Sequence, residues 1–306
     1  MTWFVVALVG PILYAVANHT DKFLISRYLK GGEVGALIIF SSIFSVVTLP
    51  AILVVHPAVF NVTFLQGIAL AANGMLLVVA ILLYFYALHR DEASFVVPFY
   101  QTIPIFGFIL GYFVLGETIT YAQGTASVFI LLGALVLSFQ IRLGKLRFKK
   151  EVVRLMLGAS LLYALNGVVF KLIAVNEGFW PSTFWGMVGK IILGLGFLAF
   201  APSYRNQFLA MIRENKLAVL GLNSLSETLF IVAEGATAYA LLLAPVVLVF
   251  LVNSFQPLFV FALGVLLSHF LPGLSKESLA RQDMLQKFLG ISLLMIGTYF
   301  LRGPRL

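Results

Sequence analysis

The sequence predicts an all-α membrane protein with ten transmembrane helices, arranged as two inverted five-helix repeats around a central cavity. Three observations support this prediction: an apolar composition, long stretches without charge, and an internal duplication. Hydrophobic residues make up 61% of the 306 residues and charged residues only 10%, a balance that is foreign to water-soluble domains. No Asp, Glu, Lys or Arg occurs from Val34 to His89 or from Gly235 to Ser275, whereas a spanning helix needs only about 20 apolar residues.

The duplication is visible as matching residues in the two halves of the chain. Tyr14-Ala15 and Lys22 recur as Tyr163-Ala164 and Lys171, at an offset of 149 residues. A duplication in so apolar a chain is typical of transporters that hold their substrate between two related halves. Three later features recur at an offset of 153 residues: Tyr86-Ala87-Leu88 with Tyr239-Ala240-Leu241, Pro104 with Pro257, and Gly111 with Gly264.

The apolar segments divide evenly between the two repeats. The first repeat is expected over residues 1–141, a basic linker over 142–151, and the second repeat over 152–306. Because each repeat has five spans, the second must enter the membrane from the opposite side, so the repeats are inverted. The ten expected spans are 3–24, 34–55, 64–88, 93–115, 121–141, 152–175, 180–201, 217–242, 246–271 and 285–301.

Lys and Arg are unequally distributed between the two expected sides. Sixteen of the 20 Lys and Arg residues fall on the side of the linker, and only Arg302 and Arg305 fall on the other. Lys171 and Lys190 lie within or near the membrane. Since positively charged loops stay in the cytoplasm, we expect the linker in the cytoplasm and both termini outside.

The composition argues against several other classes of protein. There are no cysteines, so disulfides and thiol chemistry are not expected, and the four histidines lack metal-ligand spacing. The net charge of +8 is explained by topology and by lipid headgroups, so no nucleic-acid partner is expected. No Gly-rich loop ends in Gly-Lys-Ser/Thr, so ATP is not expected to drive the protein, and no cofactor is predicted. The first apolar stretch is interpreted as a retained helix.

The fourth and fifth expected spans resemble the EamA-type repeat of the drug/metabolite transporter superfamily. The similarity lies in the small-residue entry Ala93-Ser94, the mid-helix Pro104 and the ending Leu115-Gly116-Glu117, which a Gly-rich helix follows. The second copy keeps Pro257 but has Ser268-His269-Phe270 where Leu-Gly-Glu would fall.

The resemblance implies a ten-helix secondary carrier with a central cavity and alternating access. Helices 1–4 and 6–9 would surround the cavity, and helices 5 and 10 would pack together at the back. Most members are thought to keep both termini in the cytoplasm, opposite to the charge distribution of this chain, and we favour the charge distribution. A bacterial or archaeal cell membrane is the expected location.

Polar side chains inside the expected spans define a candidate substrate site. Such side chains are costly in a bilayer unless they are paired or hydrated, and residues spaced by four share one helix face. Structural roles are the alternative, because amides bond neighbouring helices and lysines near helix ends reach the headgroups. The candidate substrate-binding residues are Tyr14, Asn18, Asn73, Tyr84, Gln101, Asn166, Lys171, Lys190, Asn223, Glu227, Asn253 and Gln256.

Glu234 is the candidate for proton coupling. It lies in the apolar stretch 230–236, and an ionisable group at this depth is typically functional. A buried ion pair with Lys190 or Lys171 is the structural alternative, because buried charges usually have partners.

Three prolines are interpreted as hinges: Pro98 and Pro104 in the fourth span, and Pro257 in the ninth. Each removes a backbone hydrogen bond and bends its helix, and the carbonyls so freed would face substrate or water. Fixed kinks that serve packing are the alternative. Pro245 is expected to mark the start of the ninth span.

These features predict a secondary active transporter that moves a small polar or amphipathic metabolite by alternating access, coupled to a proton or to a counter-substrate. A zwitterion such as an amino acid, which we favour, would use both lysines and glutamates. An anionic carboxylate or phosphate would use Lys171 and Lys190, and a cation in proton-driven multidrug efflux would use Glu227 and Glu234. A lipid-processing enzyme is another class, but no clustered catalytic set is visible, so no enzymatic activity is predicted. A non-transporting receptor or scaffold is the third class, and the short loops argue against it. The expected partners are the substrate, the coupling species and membrane lipid, as a monomer or a homodimer.

Overall fold

The computed structural model describes residues 2–28, 34–90, 96–138, 150–214, 216–270 and 281–301. These residues are almost entirely helical and contain no β-strand. Short 3-10 helices cover Ser45–Val47, Pro57–Phe60 and Val97–Thr102. The α-helices are α1 (Thr2–Tyr28), α2 (Val34–Phe44), α3 (Thr48–Val55), α4 (Phe64–Arg90), α5 (Ile103–Leu115), α6 (Tyr121–Ser138), α7 (Lys150–Glu177), α8 (Phe179–Phe200), α9 (Pro202–Glu214), α10 (Lys216–Leu243), α11 (Val246–Asn253), α12 (Gln256–Phe270) and α13 (Arg281–Leu301).

Ten segments of the described chain are long and apolar enough to cross a membrane, which confirms the expected number. The protein is an all-α integral membrane protein that crosses the membrane several times. The second, fourth and ninth spans are each built from two helical pieces: α2 with α3, the 3-10 helix Val97–Thr102 with α5, and α11 with α12. The helix α9 was not predicted from the sequence. It is amphipathic, follows α8 and packs against α2.

Some sequence expectations fall outside the described residues. These include most of the basic linker, residues 142–149, together with Arg302 and Arg305. The backbone of Lys22 belongs to α1, but its side chain is outside the description as well. The expected orientation of the chain therefore stays a prediction.

Helices α6 and α13 pack against each other, as the resemblance implies for the fifth and tenth helices. Glycines allow this close approach: a Cβ atom added at Gly133 would lie 2.7 Å from the carbonyl oxygen of Gly290. A Cβ atom added at Gly297 would lie 2.9 Å from the carbonyl oxygen of Ala126. Both distances are shorter than real Cβ contacts, so these helices meet backbone to backbone.

The remaining helices form a bundle in which the two halves of the chain interlock. Helix α1 packs along α10 and α12, and α4 packs against both α7 and α8. Helix α11 lies at the centre, and its residues Val246 to Val252 are all buried. These contacts leave a cavity between α4, α7, α8 and α10.

Candidate functional site

The cavity has a volume of about 80 Å³, several times the 10–15 Å³ that a single water molecule needs. Of the helices that line it, only α4 belongs to the first half of the chain. It is lined by Asn73, Gly74 and Leu77 of α4, Tyr163, Asn166, Gly167 and Phe170 of α7, Ser182, Thr183, Gly186, Met187 and Lys190 of α8, Glu234, Gly235, Thr237, Ala238 and Leu241 of α10, and Phe250 of α11.

An ion pair between Lys190 and Glu234 lies at the wall of this cavity. The Nζ atom of Lys190 donates a hydrogen bond to Glu234 Oε2. The two side chains are only 11% and 19% exposed, so each charge depends on the other for stabilisation in apolar surroundings. The structure therefore contains the ion pair that was the structural alternative to proton exchange by Glu234, and the paired cavity wall carries no net charge.

Two asparagines join α4 and α7 beside the ion pair. Asn73 Nδ2 donates to the backbone carbonyl of Asn166 at 3.1 Å, and Asn166 Nδ2 donates to the carbonyl of Asn73 at 3.0 Å. This reciprocal pairing uses one N–H donor of each side-chain amide. It leaves Asn73 Oδ1 buried without a hydrogen-bond partner among the described residues, so an acceptor is available at the cavity.

The hydroxyl group of Ser182 also lines the cavity without a hydrogen-bond partner in the described part of the chain, and this residue is only 1% exposed. Thr237 lines the cavity as well, but its hydroxyl lies beside Gly10 and interacts with Tyr14 of α1. Unsatisfied buried polar groups cost free energy, so the Ser182 hydroxyl and Asn73 Oδ1 are suited to a polar ligand. Sequence reasoning did not select Ser182 or Thr237, because single hydroxyl residues in membrane helices usually bond their own backbone.

Tyr14 and Tyr163, which occupy matching positions in the duplication, meet across the bundle. Their hydroxyl oxygens are 3.3 Å apart. Tyr163 lines the cavity, whereas Tyr14 of α1 lies behind it against Phe230. If a twofold axis relates two repeats, equivalent residues of the repeats are expected to meet where they lie close to that axis.

Lys171 lies away from the cavity and has its own acidic partner. Its Nζ atom is 2.6 Å from Glu117 Oε1 and donates to the carbonyl oxygen of Ala244 at 2.6 Å. Glu117 is the acid of the Leu-Gly-Glu ending, and its side chain is directed back into the bundle. Sequence reasoning missed this pair because 54 residues separate the two charges along the chain.

Two carboxyl groups of the bundle have serine hydroxyls as partners. Ser41 Oγ of α2 donates to Glu227 Oε2 at 2.8 Å, and Ser226 Oγ donates to Asp21 Oδ1. Among the described residues, no ion pair forms to either carboxyl group. Glu227 lies seven residues before Glu234 in α10 and does not line the cavity.

The predicted site residues thus separate into two groups. The structure brings four of them to the cavity: Asn73, Asn166, Lys190 and Glu234. Nine others lie elsewhere in the bundle: Tyr14, Asn18, Tyr84, Gln101, Lys171, Asn223, Glu227, Asn253 and Gln256.

The prolines lie at breaks in the fourth and ninth spans. Pro98 is the second residue of the 3-10 helix that precedes α5, and Pro104 is the second residue of α5. In the ninth span, the helix is interrupted at Ser254 and Phe255, and Pro257 is the second residue of α12. Proline is well tolerated at the first turn of a helix, so the bends precede these prolines. Their role as hinges stays a prediction.

The described residues contain no group of three or more His, Cys, Asp or Glu side chains that could hold a metal ion.

Comparison with known proteins agrees with the fold and with the motif in the fourth and fifth spans. Residues 1–139 match the model of the EamA-like transporter family. The matched segment is just under half of the 306 residues, and the EamA-like family is part of the drug/metabolite transporter superfamily. No curated protein matches the chain. A solved structure described only as "Crystal structure of protein" aligns with 100% of this chain and 98% of its own, at a TM-score of 0.66 and 16% identity. At that identity the likeness is one of fold.

The match to this family points to a transporter of a small molecule rather than an enzyme. The cavity is a part of the described structure that combines enclosed space, opposite charges and unsatisfied polar atoms. It is therefore the candidate substrate site.

Proposed function

We propose that this protein is a secondary active transporter of a small zwitterionic metabolite, such as an amino acid. The observation behind this proposal is the charge balance of the cavity, where Lys190 faces Glu234. A substrate carboxylate would bind Lys190 and a substrate ammonium group would bind Glu234, so that each protein charge exchanges one partner for another. The acceptor Asn73 Oδ1 and the hydroxyl of Ser182 would complete the hydrogen bonds.

The partners of the other charged residues favour a zwitterion over an anion or a cation. An anion carrier would need a surplus of positive charge, but Lys171 is paired with Glu117 outside the cavity. A cation carrier would need a surplus of negative charge, but Glu227 bonds to Ser41, also outside the cavity. Binding a single charge next to a neutral pair would leave one buried charge uncompensated, which is costly.

Alternating access is the mechanism that we propose for this cavity. Two inverted repeats, 1–141 and 152–306, would supply two related halves that exchange conformations. The contact of Tyr14 with Tyr163 supports this relation. The packing of α1 on α10 and of α4 on α7 also supports it, because these two helix pairs are counterparts in a duplication of five spans.

Coupling would act on the same ion pair. Glu234 would carry a proton in a step of the cycle without substrate and would lose that proton when the substrate ammonium group binds, or a counter-substrate would replace the first substrate at the pair. The positive-inside rule supports an orientation with both termini outside, and a bacterial or archaeal cell membrane is the location that we propose.

Uptake into proteoliposomes tests this proposal. The purified protein is reconstituted and offered radiolabelled zwitterions, together with their esters, which lack the carboxylate, and their N-acetyl derivatives, which lack the ammonium group. We expect saturable uptake of at least one zwitterion and much weaker uptake of both derivatives. Equal uptake of the derivatives would contradict recognition of both charges.

Variants test which residue of the protein binds each charged group of the substrate. Glu234→Gln should weaken binding of the zwitterion more than binding of its N-acetyl derivative and should remove the pH dependence of uptake. Glu227→Gln, seven residues away on the same helix and outside the cavity, is the comparison variant and should change the affinity less than Glu234→Gln does. Retained pH dependence in Glu234→Gln would exclude this residue from proton coupling.

A further inference from the structure

We propose that the ion pair between Glu117 and Lys171 is a latch that holds the cavity closed at one face of the membrane. We name this face the N-terminal face, because α1 begins there and α3, α5, α7 and α10 end there. The latch rests on the alternating access proposed above and adds the contact that controls it.

The latch joins three segments of the chain. Lys171 Nζ in α7 lies 2.6 Å from Glu117 Oε1, beyond the end of α5, and donates to Ala244 O, beyond the end of α10, at 2.6 Å. The other carboxylate oxygen of Glu117 accepts the backbone N–H of Val246, the first residue of α11, at 2.7 Å. Both charged side chains are only 14% exposed, so their attraction is screened less than that of a surface pair.

The backbone around Glu117 directs its side chain towards Lys171. Gly116 has a φ of 67°, a left-handed conformation that glycine adopts without strain. The N–H of Glu117 then donates to the carbonyl of Gly111 at 3.1 Å. A Cβ atom added at Gly111 would lie 3.0 Å from Glu117 Oε2, so the absence of a side chain at Gly111 leaves room for the carboxylate. Gly116 and Gly111 together therefore allow this position of the Glu117 side chain.

Other contacts also join helices at the N-terminal face. Near this face, Gln66 bonds to Glu177, and Trp185 Nε1 donates to the carbonyl of Val59 at 3.0 Å. Helix α4 packs closely along α8, whereas α2 has a smaller contact with α10, which includes the bond from Ser41 to Glu227. In a duplication of five spans these two helix pairs are counterparts, so their packing differs between the two copies.

The second half of the sequence has no acid at the position that matches Glu117. The counterpart of Lys171 is Lys22, at an offset of 149 residues, but the counterpart of Glu117, at an offset of 153, is Phe270. A pair that only served the packing of each repeat would be expected in both copies. Its presence in one copy favours a role at one face.

Thiol labelling tests the latch, because the chain has no cysteine of its own. Ser182→Cys places a single thiol in the cavity, and a membrane-impermeant thiol reagent is added to one face of proteoliposomes at a time. Thr118→Cys, at an exposed position next to Glu117, identifies the N-terminal face in a separate sample.

The latch predicts slow labelling of the cavity thiol from the N-terminal face in the Ser182→Cys background. Glu117→Gln or Lys171→Met should each raise that rate about tenfold, which corresponds to about 1.4 kcal/mol. Glu151→Gln is the matched control, because it removes a cross-helix ion pair, with Arg90 at 2.9 Å, from the opposite face. This control should leave labelling from the N-terminal face unchanged.

Each other outcome overturns the latch. Unchanged labelling in both Glu117→Gln and Lys171→Met would show that the pair does not control access. An equal rise in Glu151→Gln would indicate general loosening of the bundle. Failure of both latch variants to elute as monodisperse protein on gel filtration would make the pair purely structural. Labelling needs no substrate, so a latch that responds in a protein without uptake would refute the proposed function alone.

Discussion

Replacement of Gly74 by alanine tests the closest approach between α4 and α8. A Cβ atom at this position would lie 1.9 Å from the carbonyl oxygen of Gly186, roughly 1.5 Å closer than a non-bonded contact of about 3.5 Å allows. Overpacking costs about 1–3 kcal/mol, and we expect the upper value because the obstacle is backbone. Since alanine gains about 1 kcal/mol in helix propensity, the net loss of stability should be about 2 kcal/mol.

The same helix crossing offers a matched control. A Cβ atom at Gly186 would have no atom within 4 Å, so Gly186→Ala should be neutral or should stabilise by up to about 1 kcal/mol. Gly189→Ala should behave like Gly74→Ala, because its Cβ would lie 1.8 Å from the carbonyl oxygen of Ala71. Unfolding in detergent by heat and denaturant, followed by tryptophan fluorescence, measures these differences. A loss in Gly74→Ala no larger than in Gly186→Ala would refute the close approach.

Three further predictions concern the ion pair, the turn after α5 and the break in the ninth span. Lys190→Met or Glu234→Gln alone should cost about 3–5 kcal/mol, because each leaves a buried charge unpaired, whereas the double variant should stay within about 1 kcal/mol of the parent protein. Additive losses in a double-mutant cycle would contradict the pairing. Gly116→Ala should lose about 1–2 kcal/mol from its left-handed backbone alone, since no atom lies within 4 Å of the added Cβ; an unchanged unfolding midpoint would argue against this turn. Pro257→Ala should slow exchange of internal for external substrate in proteoliposomes, and unchanged exchange rates would count against a hinge.

Most of the fold could be predicted from the sequence because charge and turn residues mark the ends of its apolar runs. The expected span 180–201 corresponds to α8 at Phe179–Phe200, and Pro245 precedes α11 as expected. The helix α9 was not predicted, because its polar residues made Pro202–Glu214 resemble a connection between spans. Its apolar face is buried on α2, and this tertiary contact has no signal in the local sequence.

The candidate site could be predicted only in part, because polarity along one helix does not reveal which way that helix is rotated. Lys171 and Lys190 look alike in sequence, since each is a lone basic residue in an apolar segment. The structure directs Lys190 to Glu234 at the cavity and Lys171 to Glu117 outside it. Ser182 gave no signal, because a single small hydroxyl residue is common in membrane helices.

The structure of a complex with a transported zwitterion tests the central claim most directly. The account predicts the substrate carboxylate at hydrogen-bond distance, about 3 Å, from Lys190 Nζ and the ammonium group at a similar distance from Glu234. The direct contact between these two side chains should be lengthened or lost. A substrate bound elsewhere in the bundle, with the Lys190–Glu234 pair unchanged, would contradict the account.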